Sequence, residues 1–282
     1  MREEPIGLIA GGGRLPVLQA QGLRAAGRSV ACVGFRGMTD PALRPLCDRF
    51  VEIGYTRIGG WVRCLRRFGA RQAIMVGTVN KADMYLSKWA QARSIMPDPT
   101  GLLFWFVQSR RDRRSQAMLT ALADLLDRKG IELIDTTAYI PDHLASEGVM
   151  TARGPTPAQQ ADIDFGWPVL MRMNDLDIGQ AIALKDRNIL AVEAIEGTAQ
   201  MITRAGGLCR KGGWTLLKGP DAEKDLRFDV PSIGLETIAQ LEAAGATCLA
   251  VAAGKVILMD KPQVLKAAEK AGIAVVGIAL EA

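Results

Sequence analysis

"IGLIAGGGRLP", residues 6–16, runs five strand-like residues straight into three glycines and then into a helix-like stretch that opens at Leu15 and Pro16. A short apolar run without polar alternation is the mark of a strand covered on both faces, and such strands belong to parallel sheets flanked by helices. Glycines at the carboxyl end of that strand let the backbone turn sharply. The N–H groups of the helix that follows then face whatever anion approaches. Gly11, Gly12 and Gly13 therefore fit a phosphate-binding turn, or equally a tight turn that needs glycine for its conformation alone.

The same alternation continues outward. "SVACVGF", "RFVEIGY", "QAIMVGTV" and "IELIDTT" read as further strands, separated by helical stretches through "LPVLQAQGLRAAG", "GGWVRCLRRFG" and residues 100–129. Strands alternating with helices predict an α/β fold: a parallel sheet with helices on both faces, binding its ligand at the carboxyl ends of the strands. Residues 1–137 are expected to form this Rossmann-like nucleotide-binding domain. Residues 138–165, rich in Pro, Gly, Thr and Asp, read as a linker. A mixed α/β catalytic domain is expected over 166–282, with a hairpin turning at Asp186, Arg187 and Asn188.

Composition narrows the chemistry. Of 282 residues, 49% are hydrophobic, which supports a sizeable core. The charged start "MREEP" leads directly into the first strand, which predicts no secretory leader. No apolar run approaches the ~20 residues that span a bilayer. Five scattered cysteines without a CxxC fit reduced thiols and a cytoplasmic setting. The single histidine, His143, leaves no material for a His-rich metal site, so any metal must be held by oxygen ligands, as magnesium or manganese would be. Residues 1–135 carry 21 Lys and Arg against 12 Asp and Glu, a net +9, whereas residues 136–282 carry 14 against 18, a net −4. This asymmetry fits an anionic ligand met by one half and a cation held by the other.

Chemistry-bearing residues gather at predicted strand ends. The turn "AGGGRLP" is not a full dinucleotide fingerprint, because Pro16 occupies the place of the third glycine and Arg36 follows the second strand where an acid would hold a ribose. "GTVNKADMY", residues 77–85, lies on the same rim. There Gly77, Asn80, Lys81 and Asp83 fit contacts to a base or ribose, or a capped helix start. "AVEAIEGT", residues 191–198, sets Glu193 and Glu196 at a strand end, with Thr198 opening a helix that can hold a phosphate. Lys218 ends a neighbouring strand. In "KDLRFDVPSIG", residues 224–234, period-two reading puts Asp225, Arg227 and Asp229 on the polar face of an extended segment. Asp is a poor strand former, so two of them around an Arg point to a site, or to an ion-paired solvent face. Hydrolysis of a phosphoanhydride needs a divalent ion on carboxylates, cations on the phosphate oxygens and a positioned water. Asp225 and Asp229, with Arg227 and Lys218, meet those needs; Glu193 and Glu196 add candidate metal ligands.

"GLIAGGGRLP" (7–16), "VEAIEGT" (192–198) and "KDLRFDVPSIGLETI" (224–238), in that order, resemble the LpxI-type UDP-2,3-diacylglucosamine pyrophosphatases over essentially the whole chain. The third motif is the most specific and the glycine turn the least. Ala199 departs from the family's Asp after "EGT", which leaves Thr198 as the carry-over. The resemblance implies a cytoplasmic homodimeric hydrolase of lipid A synthesis. It would use magnesium, or manganese, to split the lipid-linked UDP-sugar into UMP and 2,3-diacylglucosamine 1-phosphate (lipid X), with Asp225 carrying the catalytic burden. A non-hydrolytic nucleotide-sugar- or NADP-binding protein is the alternative; no nucleic acid is expected as partner. "GLLFWFVQSRRDRR", residues 101–114, adds an apolar run ahead of Arg110, Arg111, Arg113 and Arg114. A helix starting near Ser109 would set those arginines against its own dipole and call for an anion, either the substrate's phosphates or anionic headgroups at the inner membrane's cytoplasmic face. The plainer reading is a buried helix or dimer contact followed by a solvated arginine face.

Overall fold

A computed structural model of the chain describes residues 3–79, 96–111, 115–220, 225–227 and 230–280, with residues 109–111 and 115–116 described by backbone alone. The chain divides into two compact units, Met1–Ile140 with Arg227–Asp229, and Pro141–Leu226 with Val230–Ala282.

In the first unit the apolar runs become five strands: β1 (Ile6–Ala10), β2 (Val30–Phe35), β3 (Arg49–Ile53), β4 (Gln72–Val76) and β5 (Glu132–Leu133). They pair in parallel in the order β3-β2-β1-β4-β5. Alternate residues of these strands feed two cores. Leu8, Cys32 and Ile74 pack with Val17 and Leu23 of α1 (Leu15–Ala25) on one face. On the other face Ile9, Val33 and Ala73 pack with Trp61 and Leu65 of α2 (Ile58–Phe68) and with Leu126 of α4 (Ser115–Arg128). Helix α3 (Pro99–Arg111) lies between α2 and α4 in sequence. Because it begins at Pro99, positions 110 and 111 lie about three turns beyond its N-terminus, where the positive end of the dipole is no longer felt. That removes the dipole conflict expected of a helix starting at Ser109.

The winding direction reverses between β1 and β4, which places a switch point at their carboxyl ends. There the two backbones run on in contact: the Gly11 N–H donates to Val76 O at 2.8 Å, and Gly12 and Thr78 exchange N–H···O bonds of 2.8 and 3.0 Å. Gly77 has φ +97°, and a Cβ on it would lie 2.8 Å from Gly12 O. A Cβ on Gly11 would lie 2.7 Å from Thr78 O. Both residues are glycine because two main chains meet there.

The second unit holds β6 (Gly148–Val149), α5 (Pro157–Asp175), β7 (Ala181–Lys185), β8 (Asn188–Val192), α6 (Thr198–Leu208) and β9 (Trp214–Lys218). These are followed by β10 (Ser232–Ile233), α7 (Leu235–Ala243), β11 (Ala246–Ala252), β12 (Ile257–Leu258), α8 (Lys261–Lys270) and β13 (Ala274–Ile278). Six strands form a mixed sheet in the order β6-β13-β11-β9-β7-β8, in which β9, β11 and β13 are parallel; β10 and β12 pair separately. Helices α6, α7 and α8 cover one face, through Met201, Leu241 and Val264. The other face is covered by α5, through Ile163 and Leu170.

Two features differ from the sequence expectation. Residues 138–165, expected as a linker, include β6 and the first turns of α5, the longest helix described. Its buried positions include Gln159, Asp162 and Gly166, so polar and small residues interrupt the apolar period that would have revealed it. A Cβ on Gly166 would sit 2.6 Å from Leu217, so the helix needs glycine to reach the sheet. The second difference concerns the segment at 225: Leu226 and Arg227 form a turn, and the next described strand begins at Ser232. The extended segment expected there is therefore replaced by a turn at Leu226 and Arg227, consistent with the preference of the preceding Asp225 for turns over strands.

Candidate active site

Three strand ends meet in the second unit. The antiparallel registers Ala181↔Lys218 and Ile182↔Val192 set the end of β9 and the end of β8 on either side of the start of β7. Glu193, just past β8, fixes its backbone by donating its N–H to Ala181 O at 2.9 Å. The chain then turns at Gly197, whose φ of +81° favours glycine, and enters α6 without a side-chain cap. The first residue of α6 is Thr198.

This geometry joins three of the expected residues. Lys218 Nζ donates to Thr198 Oγ1 at 2.7 Å, and Thr198 Oγ1 donates to Glu193 Oε1 at 2.7 Å. One hydroxyl thus accepts from a cation and donates to an anion, which fixes its rotamer. Lys218 and Glu193 are only 5% and 6% exposed, so both groups are withdrawn from water beside an uncapped helix N-terminus. Glu193 Oε2 is buried without a hydrogen-bond partner among the described residues. A desolvated carboxylate oxygen in that state is costly unless a cation or a donor from a ligand completes it. Gln180 Oε1, at the residue preceding β7, is a second such buried acceptor at this end of the sheet. The Gln180 backbone oxygen receives the Gly219 N–H at 3.1 Å, and Gly219 O receives Asn174 Nδ2 at 2.9 Å, so the loop leaving β9 is held from two sides.

Glu196 stands apart from this chain. Its carboxylate is paired with Arg204 of α6 (2.6 Å), which also donates to Val192 O. Its own backbone N–H and then Arg204 hold it below the usual carboxylate range. Among the described residues no group of three or more His, Cys, Asp or Glu side chains converges as a metal cluster. Asp225 is half-buried in the second unit, whereas Arg227 belongs to the first. Asp229, Asn80, Lys81 and Asp83 lie outside the described residues.

In the first unit, Gly11 is buried against the Gly77–Thr78 backbone, Gly12 is half-buried, and Gly13 is exposed with φ +90°. Among the described residues a Cβ on Gly13 would meet only Thr78 Oγ1, at 4.0 Å. The open surface of the glycine turn is therefore at Gly12 and Gly13, ahead of the N-terminus of α1, which has no side-chain cap. Sequence reading missed Gln180 and Arg204. Their signals, a polar residue at a strand start and a basic residue eight positions after Glu196, become meaningful only once the strand register and helix phase are known.

The comparisons agree with this two-unit arrangement. Residues 5–143 match the family model described as the LpxI N-terminal domain, and residues 146–276 match the LpxI C-terminal domain. The curated relative "UDP-2,3-diacylglucosamine pyrophosphatase LpxI" from Caulobacter vibrioides is 30% identical over 285 residues, covering 97% of each chain. Two domain matches in order, sustained across nearly the full length of a relative, mean that this chain belongs to the LpxI family.

Proposed function

We propose that the protein hydrolyses the pyrophosphate bond of UDP-2,3-diacylglucosamine, releasing UMP and 2,3-diacylglucosamine 1-phosphate in lipid A synthesis. The observation that carries this reading is the near-complete match to a relative named for that activity. The Lys218–Thr198–Glu193 chain supports it chemically, because a buried ammonium beside a helix N-terminus suits a phosphate. Water adds to one phosphorus, the bridging P–O bond breaks with its electrons on the departing phosphate, and the water's proton is given up. Asp225 is assigned to orient that water and take the proton. Lys218 offsets the negative charge that builds on the phosphate oxygens, and Thr198 holds the ammonium in place. Glu193 fits a hard divalent cation, because its buried Oε2 lacks a partner among the described residues. With Asp225 it would hold magnesium or manganese, which when bound supplies further charge neutralisation at the phosphates.

The test is UMP release from the UDP-lipid by the purified protein, with and without EDTA. Turnover is expected to vanish with the chelator and to return with Mg2+ or Mn2+. Asp225→Asn is expected to lower turnover by at least about 100-fold while thermal melting stays near the parent value. Absence of UMP from the parent protein overturns the activity; near-parent turnover in Asp225→Asn overturns the assignment.

A further inference from the structure

Helix α3 turns a broad apolar face outward. Leu102, Leu103, Phe106 and Val107 are 61%, 64%, 55% and 40% exposed, and Trp105 is 39% exposed. At about 100° per residue, the first four form one continuous arc of roughly 140°, with Trp105 on its flank. The opposite side is anchored. Gly101 is buried, Gln108 is 8% exposed and Phe104 packs on the core of the first unit. Asp98 fixes the helix start, its Oδ1 receiving the Gly101 N–H at 2.8 Å and its Oδ2 the Gly60 N–H of α2 at 2.7 Å. The outward face is therefore held outward by the fold.

Charge identifies the occupant. Position 110 follows Leu103, Phe106 and Val107 by seven, four and three residues, so Arg110 is on the same helical face. Arg111, Arg113 and Arg114 follow in sequence with a single acid, Asp112, among them, so residues 99–114 carry four arginines against one carboxylate. Two copies paired through this face would set this excess of positive charge against itself. A bilayer rich in anionic lipid offers both an apolar interior and negative headgroups. We propose that this face of α3 docks the protein on an anionic membrane surface, with the apolar arc entering the headgroup–acyl boundary and the charge at Arg110 and Arg111 meeting the phosphates. Docking is independent of the reaction proposed above and is measured without turnover.

The experiment is co-sedimentation of the full chain with vesicles of phosphatidylglycerol and phosphatidylcholine, or of phosphatidylcholine alone. Binding is expected only with phosphatidylglycerol and should weaken as salt rises, because surface attraction is screened. Leu103→Ser/Phe106→Ser and Arg110→Glu/Arg111→Glu are each expected to lower that binding at least about tenfold. A measurement free of large surface changes accompanies them: brominated lipid should quench tryptophan fluorescence of the bound parent, and Trp105→Phe should abolish most of that quenching. Failure of the parent to bind, or binding that survives both double variants, overturns the proposal. So does quenching indifferent to Trp105→Phe. Sedimentation velocity covers the remaining occupant: variants that dissociate an oligomer yet leave vesicle binding intact would make the face a contact between copies and refute membrane docking.

Discussion

Thr198 has one hydroxyl and two charged neighbours, and that economy makes it sensitive to substitution. Thr198→Val keeps the shape and loses both hydrogen bonds, so Lys218 and Glu193 are left less well satisfied in a site largely closed to water. We expect a loss of about 2–3 kcal/mol in folding stability or in transition-state stabilisation, divided between melting and kcat/KM. Thr198→Ser should recover most of it. Equal behaviour of Val and Ser in both measurements would remove the hydroxyl from the argument. The thiols offer a second residue-scale test. Burial pushes Cys248 up from 9.0 to about 12. The hydrogen bond between Cys32 and Cys47 raises Cys32 and lowers Cys47. Since the thiolate is the reactive form, iodoacetamide at pH 8 should modify Cys47 well before Cys32 or Cys248, as read by mass spectrometry of native protein. The sign for stability follows from the raised group. Between pH 9 and about 12 the unfolded chain releases the Cys248 proton while the folded chain retains it, so stability should fall as pH rises through that window. Cys248→Ala should flatten this part of the urea-unfolding profile.

Elements are held in register by a few close approaches. Where β1 and β4 run on into the glycine turn, Gly77 combines a positive φ with a space that a methyl group would overfill. Gly77→Ala should therefore cost about 2–4 kcal/mol by urea unfolding. Gly27 has a similar φ, +72°, but a methyl group added there would meet nothing within 4 Å, so Gly27→Ala should cost only about 1 kcal/mol. Equal costs would mean that φ alone, and not the meeting of the two main chains, sets the need for glycine at 77. Helix α5 shows a different device. Thr156 and Gln159 form a reciprocal capping box, and Asp162 on the buried side accepts the Arg187 N–H at 2.6 Å, holding the turn between β7 and β8. Both turn residues, Asp186 and Arg187, have positive φ (52° and 60°), as a tight two-residue hairpin demands. The hairpin was readable from Asp186–Arg187–Asn188 in the sequence, whereas the helix that steadies it was not.

At the scale of the molecule, each unit has cores of its own: Leu65 belongs to one and Leu249 to another, with no residue shared between them. Leu65→Ala and Leu249→Ala should each cost about 2–5 kcal/mol, and the double variant their sum within about 0.5 kcal/mol. A larger deviation would mean that the two cores are energetically coupled. Among the described residues no helix is long and apolar enough to cross a membrane. The alternation of apolar runs with helical stretches was enough to read the parallel sheet and its helices, because burial on both faces writes itself into composition one residue at a time. Glu193, Thr198 and Lys218 were each legible as polar residues at a strand or helix end. Their hydrogen-bonded union was not, because it depends on β7 running antiparallel between β8 and β9, and register is set by packing of the whole sheet. The same limit explains Glu196, whose partner Arg204 lies on the following helix, and residues 225–227, where local alternation suggested a strand but the chain turns instead. Sequence determined which segments could be buried and which residues could carry charge; tertiary structure alone decided which of those charges meet, because hydrogen bonds act over about 3 Å between residues far apart in the chain.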